Sequence, residues 1–390
     1  MKPSGLYIHI PFCTQKCRYC DFYSCTDASD FQAYGNNRAF ISTILNDIAF
    51  FKERYAVEYW KTVYIGGGTP SLLSPADICF LGTRIRQSQP DHQIEEFTIE
   101  ANPEDIHPEW LSACREGGIN RLSIGIQSFD DTVLAVNGRR GSGKKTLKAL
   151  DTIKTHWHGL LSCDLIAGLK EQTERSLTDD LRRLIDYRIE HLSLYGLCSE
   201  EPLADTQEDF ISDLLTGCSS ILSSHDYIQY EVSNFSYQNL YKSIHNQIYW
   251  QMEPYIGVGP AACGTLIHED AALAFTGAER LEGVRDISQW HSTRNRDLVY
   301  AKEVISKTVF LEEVLMMGFR LTEGIDRKRF RQRFGTDIGE YIGRTLRRWE
   351  STGLCRVLPD RAFLTAEGLF FLNRFLVEAL SELDMQIPGH

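Results

Sequence analysis

The sequence of 390 residues, 43% of them hydrophobic, is long enough to bury a large core, and no apolar run approaches the roughly 18 residues that span a bilayer. Its formal net charge of −12 argues against a general nucleic-acid binder, because a phosphate backbone requires a positive protein surface. Eleven cysteines without an export signal are poorly explained as a disulfide framework, so we expect a protein of the reducing cytoplasm.

Six short runs rich in β-branched and aromatic residues recur in the first half of the chain, with helix-like amphipathic stretches between them. They cover residues 6–10, 62–65, 96–100, 121–126, 160–166 and 191–195. This alternation predicts a parallel sheet with right-handed helical crossovers, either open or curved into an incomplete barrel. Polar or glycine residues follow each run, at the edge where barrel enzymes keep their sites.

A cysteine cluster directly follows the first run. The sequence Cys13-Thr-Gln-Lys-Cys17-Arg-Tyr-Cys20 has the spacing C-x3-C-x2-C. Three thiolates in one tight loop leave one iron of a 4Fe–4S cluster open for an exchangeable ligand, here the amino and carboxylate groups of S-adenosylmethionine (SAM). The alternative is a structural zinc site with Cys25 as the fourth ligand. Zinc sites usually pair two short C-x2-C knuckles, and Cys25 stands alone.

The second half of the chain has a different character. The stretch 228–270 is loop-rich, with many Tyr, Asn and Gly residues. Helical periodicity returns from residue 308, followed by a strand-turn-strand signal around Pro359-Asp360 and a last helix at 366–383. We therefore expect a strand-helix domain at 1–225, a site-forming, loop-rich connector at 226–305, and a small, mostly α, winged-helix-like domain at 306–390.

Five blocks, in order, make the chain similar to the radical SAM proteins related to oxygen-independent coproporphyrinogen dehydrogenase. The blocks are Tyr7-Ile-His-Ile-Pro-Phe-Cys13, Gly66-Gly67-Gly68-Thr69-Pro70, Glu100-Ala-Asn-Pro103, Gly125-Ile-Gln127-Ser-Phe129 and Asp164-Leu-Ile-Ala-Gly168-Leu. The resemblance implies an α/β fold with an incomplete (β/α)6 radical SAM barrel. It also implies that SAM contacts Tyr7, Tyr19, Gly67, Gly68, Thr69, Glu100, Gln127, Arg139 and Asp164.

The glycine block and the positions after Arg139 each bear on the SAM contacts that the resemblance implies. The glycines at 66–68 leave the backbone bare where the methionine moiety of SAM would approach, and a plain tight turn is the alternative. After Arg139 the relatives usually have a histidine two residues on, whereas Gly141 stands there in this chain. The cofactor or substrate contact that the resemblance implies at 139–141 therefore stays open.

Two differences separate the chain from the coproporphyrinogen dehydrogenases that it resembles. Those proteins carry a further cysteine two residues after the third, where this chain has Phe22. They also carry an N-terminal arm that helps to enclose the porphyrin, whereas this chain reaches Tyr7 almost at once. Both differences count against decarboxylation of coproporphyrinogen.

A sixth block, His245-Asn-Gln-Ile-Tyr249-Trp250, resembles the HNxxYW hallmark of the HemW-type haem chaperones. The resemblance implies a protein that binds haem and passes it to an acceptor haemoprotein. A histidine supplies an axial nitrogen to haem iron, and Tyr249 and Trp250 offer flat apolar faces to the macrocycle. We hypothesise that these three residues contact haem; a loop histidine beside two buried aromatic residues is the plain alternative.

Other functions stay open at this point. One is a radical enzyme, either coproporphyrinogen III dehydrogenase or another SAM-cleaving oxidoreductase, with an electron donor such as flavodoxin or ferredoxin. Another is a nucleic-acid-binding regulator that uses residues 308–385, which the net acidity disfavours. Segment 327–348 holds eight Arg or Lys residues, so contact with a membrane surface is a hypothesis, as is a homodimer. The glycine-rich stretch 138–146 has Lys145 where a nucleotide-binding loop needs Ser or Thr, and we discount it.

Overall fold

One mixed sheet organises most of the molecule. The computed structural model describes residues 4–35, 38–198, 205–270 and 272–386. The strands of the sheet in these residues are β1 (Ser4–Ile10), β2 (Trp60–Gly67), β3 (Glu96–Ala101), β4 (Arg121–Gln127), β5 (Leu160–Ala167), β6 (His191–Gly196), β7 (Tyr227–Gln229), β8 (Asn234–Tyr237), β9 (Tyr255–Val258), β10 (Cys263–Glu269), β11 (Phe275–Gly283) and β12 (Tyr300–Ile305). Their order across the sheet is β12-β11-β10-β9-β1-β2-β3-β4-β5-β6-β8-β7.

Strands β1 to β6 are parallel neighbours in chain order, and each contains one of the six predicted runs. The predicted parallel sheet is therefore confirmed. Parallel neighbours require crossover connections, which helices supply here. The helices up to β7 are α1 (Ala28–Asp30), α2 (Arg38–Arg54), α3 (Pro75–Gln87), α4 (Pro108–Gly117), α5 (Asp131–Val136), α6 (Gly143–His156), α7 (Glu174–Asp186) and α8 (Asp205–Ser224).

Polar side chains determine where several of these helices begin. The Ser74 hydroxyl accepts a hydrogen bond from a backbone N–H in the first turn of α3. Thr173 and Ser176 form a reciprocal capping box at the start of α7. Ser142 caps α6 in the same way, so the glycine-rich stretch 138–146 is the entry to a helix. Such caps satisfy N–H groups that a helix leaves unpaired at its N-terminus.

The two faces of the parallel strands differ in chemistry. Alternate residues of β1 lie in the main hydrophobic core and are fully buried: Leu6, Ile8 and Ile10. The residues between them face the inner side, where the register sets Tyr7 beside Tyr64. Burial raises the pKa of Tyr195 on β6, and the carboxyls of Asp164, Glu231 and Glu100 raise it further. Since Glu100 lies three strands away on β3, the inner face is concave.

The segment 226–305 contains more strands than its sequence indicated. Strands β7 and β8 extend the sheet beyond β6, and β9 to β12 extend it beyond β1. The described residues of the segment also form two α-helices, α9 (Ile244–Trp250) and α10 (Ile287–Ser292), and a short 3-10 helix at Arg296–Leu298. Its apolar residues Ile256, Val258 and Trp290 belong to the same core as the parallel strands. The segment thus extends the sheet in addition to its predicted role as a connector. The domain boundaries 1–225, 226–305 and 306–390 stay predictions.

The C-terminal part has its own core and a small antiparallel sheet, in the order β13 (Ile325–Asp326), β15 (Arg361–Leu364), β14 (Cys355–Val357). Its turn contains Pro359 and Asp360, as the sequence predicted, and the order of elements is that of a winged-helix domain. None of the described helices is long and apolar enough to cross a membrane. The elements are α11 (Lys307–Gly318), β13 (Ile325–Asp326), α12 (Arg327–Phe334), α13 (Ile338–Ser351), β14 (Cys355–Val357), β15 (Arg361–Leu364), α14 (Ala366–Leu369) and α15 (Leu372–Gln386).

Candidate cluster and cofactor site

The three predicted cluster cysteines lie in one loop after β1, at the carboxyl edge of the sheet. Cys13, Cys17 and Cys20 are free thiols and half-buried. The Cys20 N–H donates to the Cys17 carbonyl over 3.2 Å, which closes the turn between them. Burial raises the pKa of Cys20, and the neighbouring Cys13 and Cys17 raise it further. Three thiols within electrostatic range of one another are a donor set suited to an iron–sulfur cluster.

Cys25 has a different environment from these three. Its backbone lies beside Cys13, whose N–H donates to the Cys25 carbonyl over 2.9 Å. Its thiol, however, donates to Asp30 over 3.2 Å, and burial together with Asp30 raises the pKa of Cys25. The Cys25 side chain is thus already engaged by the Asp30 carboxyl. The described residues hold no group of three or more His, Cys, Asp or Glu side chains gathered as for a single metal ion.

Two glycines at the end of β2 let the cysteine loop pack closely against that strand. A Cβ atom on Gly67 would lie 2.6 Å from the His9 ring, and one on Gly68 would lie 2.7 Å from the Phe12 carbonyl oxygen. The next residue, Thr69, places its hydroxyl 3.3 Å from the Cys13 sulfur. Close packing is therefore a second reason for glycine at these positions, besides the SAM contact implied by the resemblance.

Arg139 brings a positive charge to the cysteine loop. Its guanidinium donates to the Asn102 side chain over 2.8 Å and to the Gly125 carbonyl. Burial opposes its charge, but nearby Tyr19, Cys17 and Glu104 outweigh that effect and raise the pKa of Arg139. A cation here would offset part of the negative charge of a cluster held by three thiolates.

The departure from the family at residue 141 has a structural explanation. Gly141 has a φ of +106°, and a Cβ atom there would fall 1.7 Å from a carboxyl oxygen of Glu104. The preceding Arg140 forms ion pairs with Glu104 and Asp105. Glu104 therefore occupies the space that a side chain at 141 would need, which accounts for glycine at this position.

Two carboxyls lie deeper on the concave face. Glu100 accepts hydrogen bonds from the Tyr64 hydroxyl over 2.7 Å and the Gly67 N–H over 3.2 Å, yet burial raises its pKa to about 7. Asp164 accepts from the Ser123 hydroxyl over 3.2 Å, and burial raises its pKa too. Near neutral pH, Glu100 can thus either accept or donate a hydrogen bond to a ligand hydroxyl or amino group.

The remaining predicted SAM residues surround the same region. The Tyr7 hydroxyl lies 2.9 Å from Nδ1 of His9, whose Nε2 is 3.0 Å from the Tyr23 carbonyl oxygen. Gln127 ends β4 with a φ of +69° beside a register shift in the pairing of β4 with β5. The structure therefore brings the predicted SAM residues and the cysteine loop together on one concave face and its carboxyl edge.

His245, by contrast, lies at the opposite, amino edge of that face. It is fully buried on α9, with Nδ1 2.7 Å from the Thr62 hydroxyl and Nε2 2.7 Å from the Tyr249 hydroxyl. Burial lowers the pKa of His245 to about 3, so the ring is neutral. Axial ligation of haem would require one ring nitrogen to leave its hydrogen bond. The haem contact of His245 stays a prediction.

Comparison with known proteins places these features in a family. Residues 7–184 match the model of the Radical SAM superfamily, and residues 305–371 match that of the HemN C-terminal domain. Heme chaperone HemW of Escherichia coli (strain K12) is 30% identical over 98% of this chain and 99% of that protein. Radical S-adenosyl methionine domain-containing protein 1, mitochondrial, of Bos taurus is 31% identical, over 97% of this chain and 88% of the bovine protein. The chain belongs to the HemW family of radical SAM proteins.

A solved structure supports the fold of this HemW family member. Coproporphyrinogen III oxidase (HemN) from Escherichia coli superposes with a TM-score of 0.78, covering 97% of this chain and 90% of that one. At 18% identity this likeness establishes the shared fold. The incomplete radical SAM barrel expected from the sequence is confirmed. Family membership further implies a 4Fe–4S cluster and SAM, which the three free thiols and the neighbouring Arg139 fit.

Two residues that fix α9 in this HemW family member were missed in the sequence. Glu96 accepts hydrogen bonds from the Ser243 hydroxyl and from the backbone N–H groups of Ile244 and His245. Arg121 pairs with Glu96 over 3.2 Å, and both side chains are almost fully buried. A signal existed, because each of these charged residues opens an otherwise apolar strand run.

The basic segment 327–348 offers less free charge than its composition suggested. Six of its eight basic side chains form ion pairs with carboxylates of the chain: Arg327, Arg329, Arg331, Arg333, Arg344 and Arg348. Neutralised side chains attract phosphates weakly. The pairing weakens the basis for both a nucleic-acid-binding regulator and a membrane-surface contact.

Proposed function

We propose that this protein is a haem chaperone, which binds haem and transfers it to an acceptor haemoprotein. The observation that carries the proposal is the match along nearly the whole of both chains to curated proteins named Heme chaperone HemW. The relative from Escherichia coli is 30% identical, and that from Lactococcus lactis subsp. lactis is 29% identical over 97% of this chain and 99% of its own. The HNxxYW sequence on α9 supports the same function.

Within this proposal, Cys13, Cys17 and Cys20 hold the 4Fe–4S cluster, which when bound supplies an open iron vertex for SAM and an electron. The chain's own groups hold the SAM molecule around it. In the proposal Arg139 donates to a carboxylate of SAM, and Glu100 accepts from a hydroxyl or amino group. The other proposed contacts are Tyr7, Tyr19, Gly67, Gly68, Thr69, Gln127 and Asp164.

Conversion of coproporphyrinogen has no observation of its own in its favour. The position two residues after Cys20 holds Phe22, whose side chain is 64% exposed and supplies no thiol. The likeness to HemN rests on fold. An electron donor such as flavodoxin or ferredoxin is part of the proposal only if SAM is cleaved. A cytoplasmic location, a homodimer and a membrane-surface contact stay predictions.

One anaerobic experiment separates carrier from catalyst. The protein is reconstituted with iron and sulfide, then assayed separately for haem stoichiometry, release of 5′-deoxyadenosine and conversion of coproporphyrinogen. We expect a Soret band from bound haem, transfer of that haem to an apo-haemoprotein, and unchanged coproporphyrinogen. Conversion of coproporphyrinogen without haem binding would contradict the proposal.

A further inference from the structure

The end of the HNxxYW helix meets the C-terminal domain through arginines. Arg333 donates to the Met252 carbonyl over 2.9 Å, just beyond α9, and to Glu269 over 2.8 Å. Arg329 forms an ion pair with Glu253. Arg320 takes a third position, with its guanidinium carbon 5.6 Å from the centre of the Trp250 ring. Two of these arginines thus pair with carboxylates, while the third lies over an indole.

The polar atoms around Arg320 and Trp250 lack partners. In the described part of the chain, the Arg320 Nε and the Trp250 Nε1 are buried N–H donors without an acceptor. On the other side of the junction, a carboxyl oxygen of Glu231 and the amide oxygen of Asn234 are buried acceptors without a donor. Each such atom is costly, because it has lost its water without gaining a partner.

Backbone pairing holds this set together. The Val232 N–H donates to the Arg320 carbonyl over 3.0 Å, and Glu231 forms an antiparallel bridge with Leu321. The Glu231 side chain is fully buried. Burial raises the pKa of Glu231 to about 7, although hydrogen bonds from Ser233 and Asn234 and the charge of Arg320 lower it. A guanidinium and a carboxyl therefore face one junction without closing an ion pair.

The junction also borders the concave face of the barrel. Tyr195, the second-last residue of β6, is 41% exposed, and the N–H of the preceding Leu194 donates to the Ser233 carbonyl over 2.8 Å. Trp250 and Arg320 are themselves half-buried. A ligand anchored at the junction would have the rest of its body beside Tyr195, next to the region of the proposed SAM contacts.

We propose that Arg320 and Trp250 form an anchor for a carboxylate of the porphyrin, with the guanidinium and the indole N–H donating to its oxygens. Two N–H donors, one of them charged, match a carboxylate better than a neutral group. Glu231, at the same junction, can donate to that carboxylate when its own carboxyl carries a proton. This inference rests on the proposed haem-binding function. It assigns the motif two tasks: His245 fixes the helix inside the barrel, and Trp250 meets the ligand.

The test compares haem with haem dimethyl ester, whose propionates are blocked, by Soret titration of the full chain. Wild type is expected to bind haem about ten- to a hundredfold more tightly than the ester. Arg320→Gln should abolish that preference, because it lowers the affinity for haem and leaves the affinity for the ester unchanged. Trp250→Phe keeps an aromatic ring but loses the N–H, so it should reduce the preference. Arg374→Gln is the matched control, because Arg374 lies on the exposed side of α15, 68% accessible, and pairs with Glu378.

The outcomes separate this inference from the function on which it rests. Equal affinity of wild type for haem and its ester, or an unchanged preference in Arg320→Gln, would overturn the anchor while leaving haem binding intact. That is also the result expected if ordered water alone satisfies these atoms. No Soret shift with either ligand would overturn the proposed function itself. The ester comparison in wild type needs no variant, so a misfolded variant cannot hide the answer.

Discussion

At the scale of single residues, the end of β2 shows how backbone geometry constrains the cluster loop. Gly67 has a φ of +111°, a conformation that side-chain-bearing residues rarely adopt, and His9 fills the space where its Cβ would stand. Both features act on the packing of β2 against β1, the strand that leads into the loop carrying Cys13. The glycine block was recognisable in the sequence, but its contact with His9 was not, because that contact depends on the register of β1 with β2.

Gly67→Ala should therefore destabilise the protein by about 2 to 4 kcal/mol, from backbone strain and overlap with His9 combined. Urea unfolding measures the change. Gly217→Ala is the control, since Gly217 lies in α8 with no heavy atom near its would-be Cβ, and it should stabilise by about 0.5 to 1 kcal/mol. Equal effects of the two substitutions would show that packing at Gly67 is unimportant.

The charge state of His245 makes the stability of the protein depend on pH. Its folded pKa of about 3 lies below the ordinary 6.5, so the unfolded chain binds a proton that the folded chain excludes as pH falls below 6.5. Stability from this group is fully present above pH 6.5 and is lost progressively towards pH 3. When the pH is lowered from 7.5 to 5, the free energy of unfolding should fall by about 2 kcal/mol less in His245→Gln than in wild type, as measured by urea unfolding. Parallel pH profiles would contradict a buried, neutral His245.

At the scale of elements, α9 is held by a buried ion pair at the amino edge of the sheet. Glu96 receives three hydrogen bonds at the start of that helix and pairs with Arg121. The sequence predicted the six parallel strands because their apolar runs alternate with helices. It did not predict the position of α9, since a six-residue motif carries no information about the distant strands against which it packs.

The same limit explains the strands added in the segment 226–305. Strands β9 to β11 contain glycines and polar residues, including Gly257, Gly264 and Gly277, which weaken a strand pattern. Their place in the sheet comes from pairing rather than from local preference. A Cβ on Gly257 would lie 2.1 Å from the Cys263 carbonyl oxygen, so the glycine permits close approach of the backbones.

Glu96→Gln should lower the free energy of unfolding by about 3 kcal/mol or more, because it leaves the buried charge of Arg121 without its carboxylate partner. Its neighbour supplies a matched control, since Glu95 is exposed and meets Lys61 at 3.8 Å. Glu95→Gln should change stability by less than about 1 kcal/mol. Thermal or urea unfolding of the two variants decides the matter, and a mild effect at Glu96 would mean that α9 is held by other contacts.

At the scale of the whole molecule, one concave face is used at both of its edges. The cysteine loop, Arg139 and Glu100 occupy its carboxyl edge and interior, while α9 enters from the amino edge and runs to the C-terminal domain. Helix and domain are joined by Arg320, Arg329 and Arg333. A ligand contact at that junction and a cofactor at the cysteine loop would therefore act on one connected structure, in which the barrel provides the scaffold.

In this proposal three thiols of one loop hold an iron–sulfur cluster. Metal analysis after anaerobic reconstitution is the decisive test of that assignment. Wild type and a Cys25→Ala variant should both take up a full complement of iron and labile sulfide. The triple variant Cys13→Ala, Cys17→Ala, Cys20→Ala should take up neither. Iron and sulfide retained by the triple variant, or lost from Cys25→Ala, would contradict the assignment.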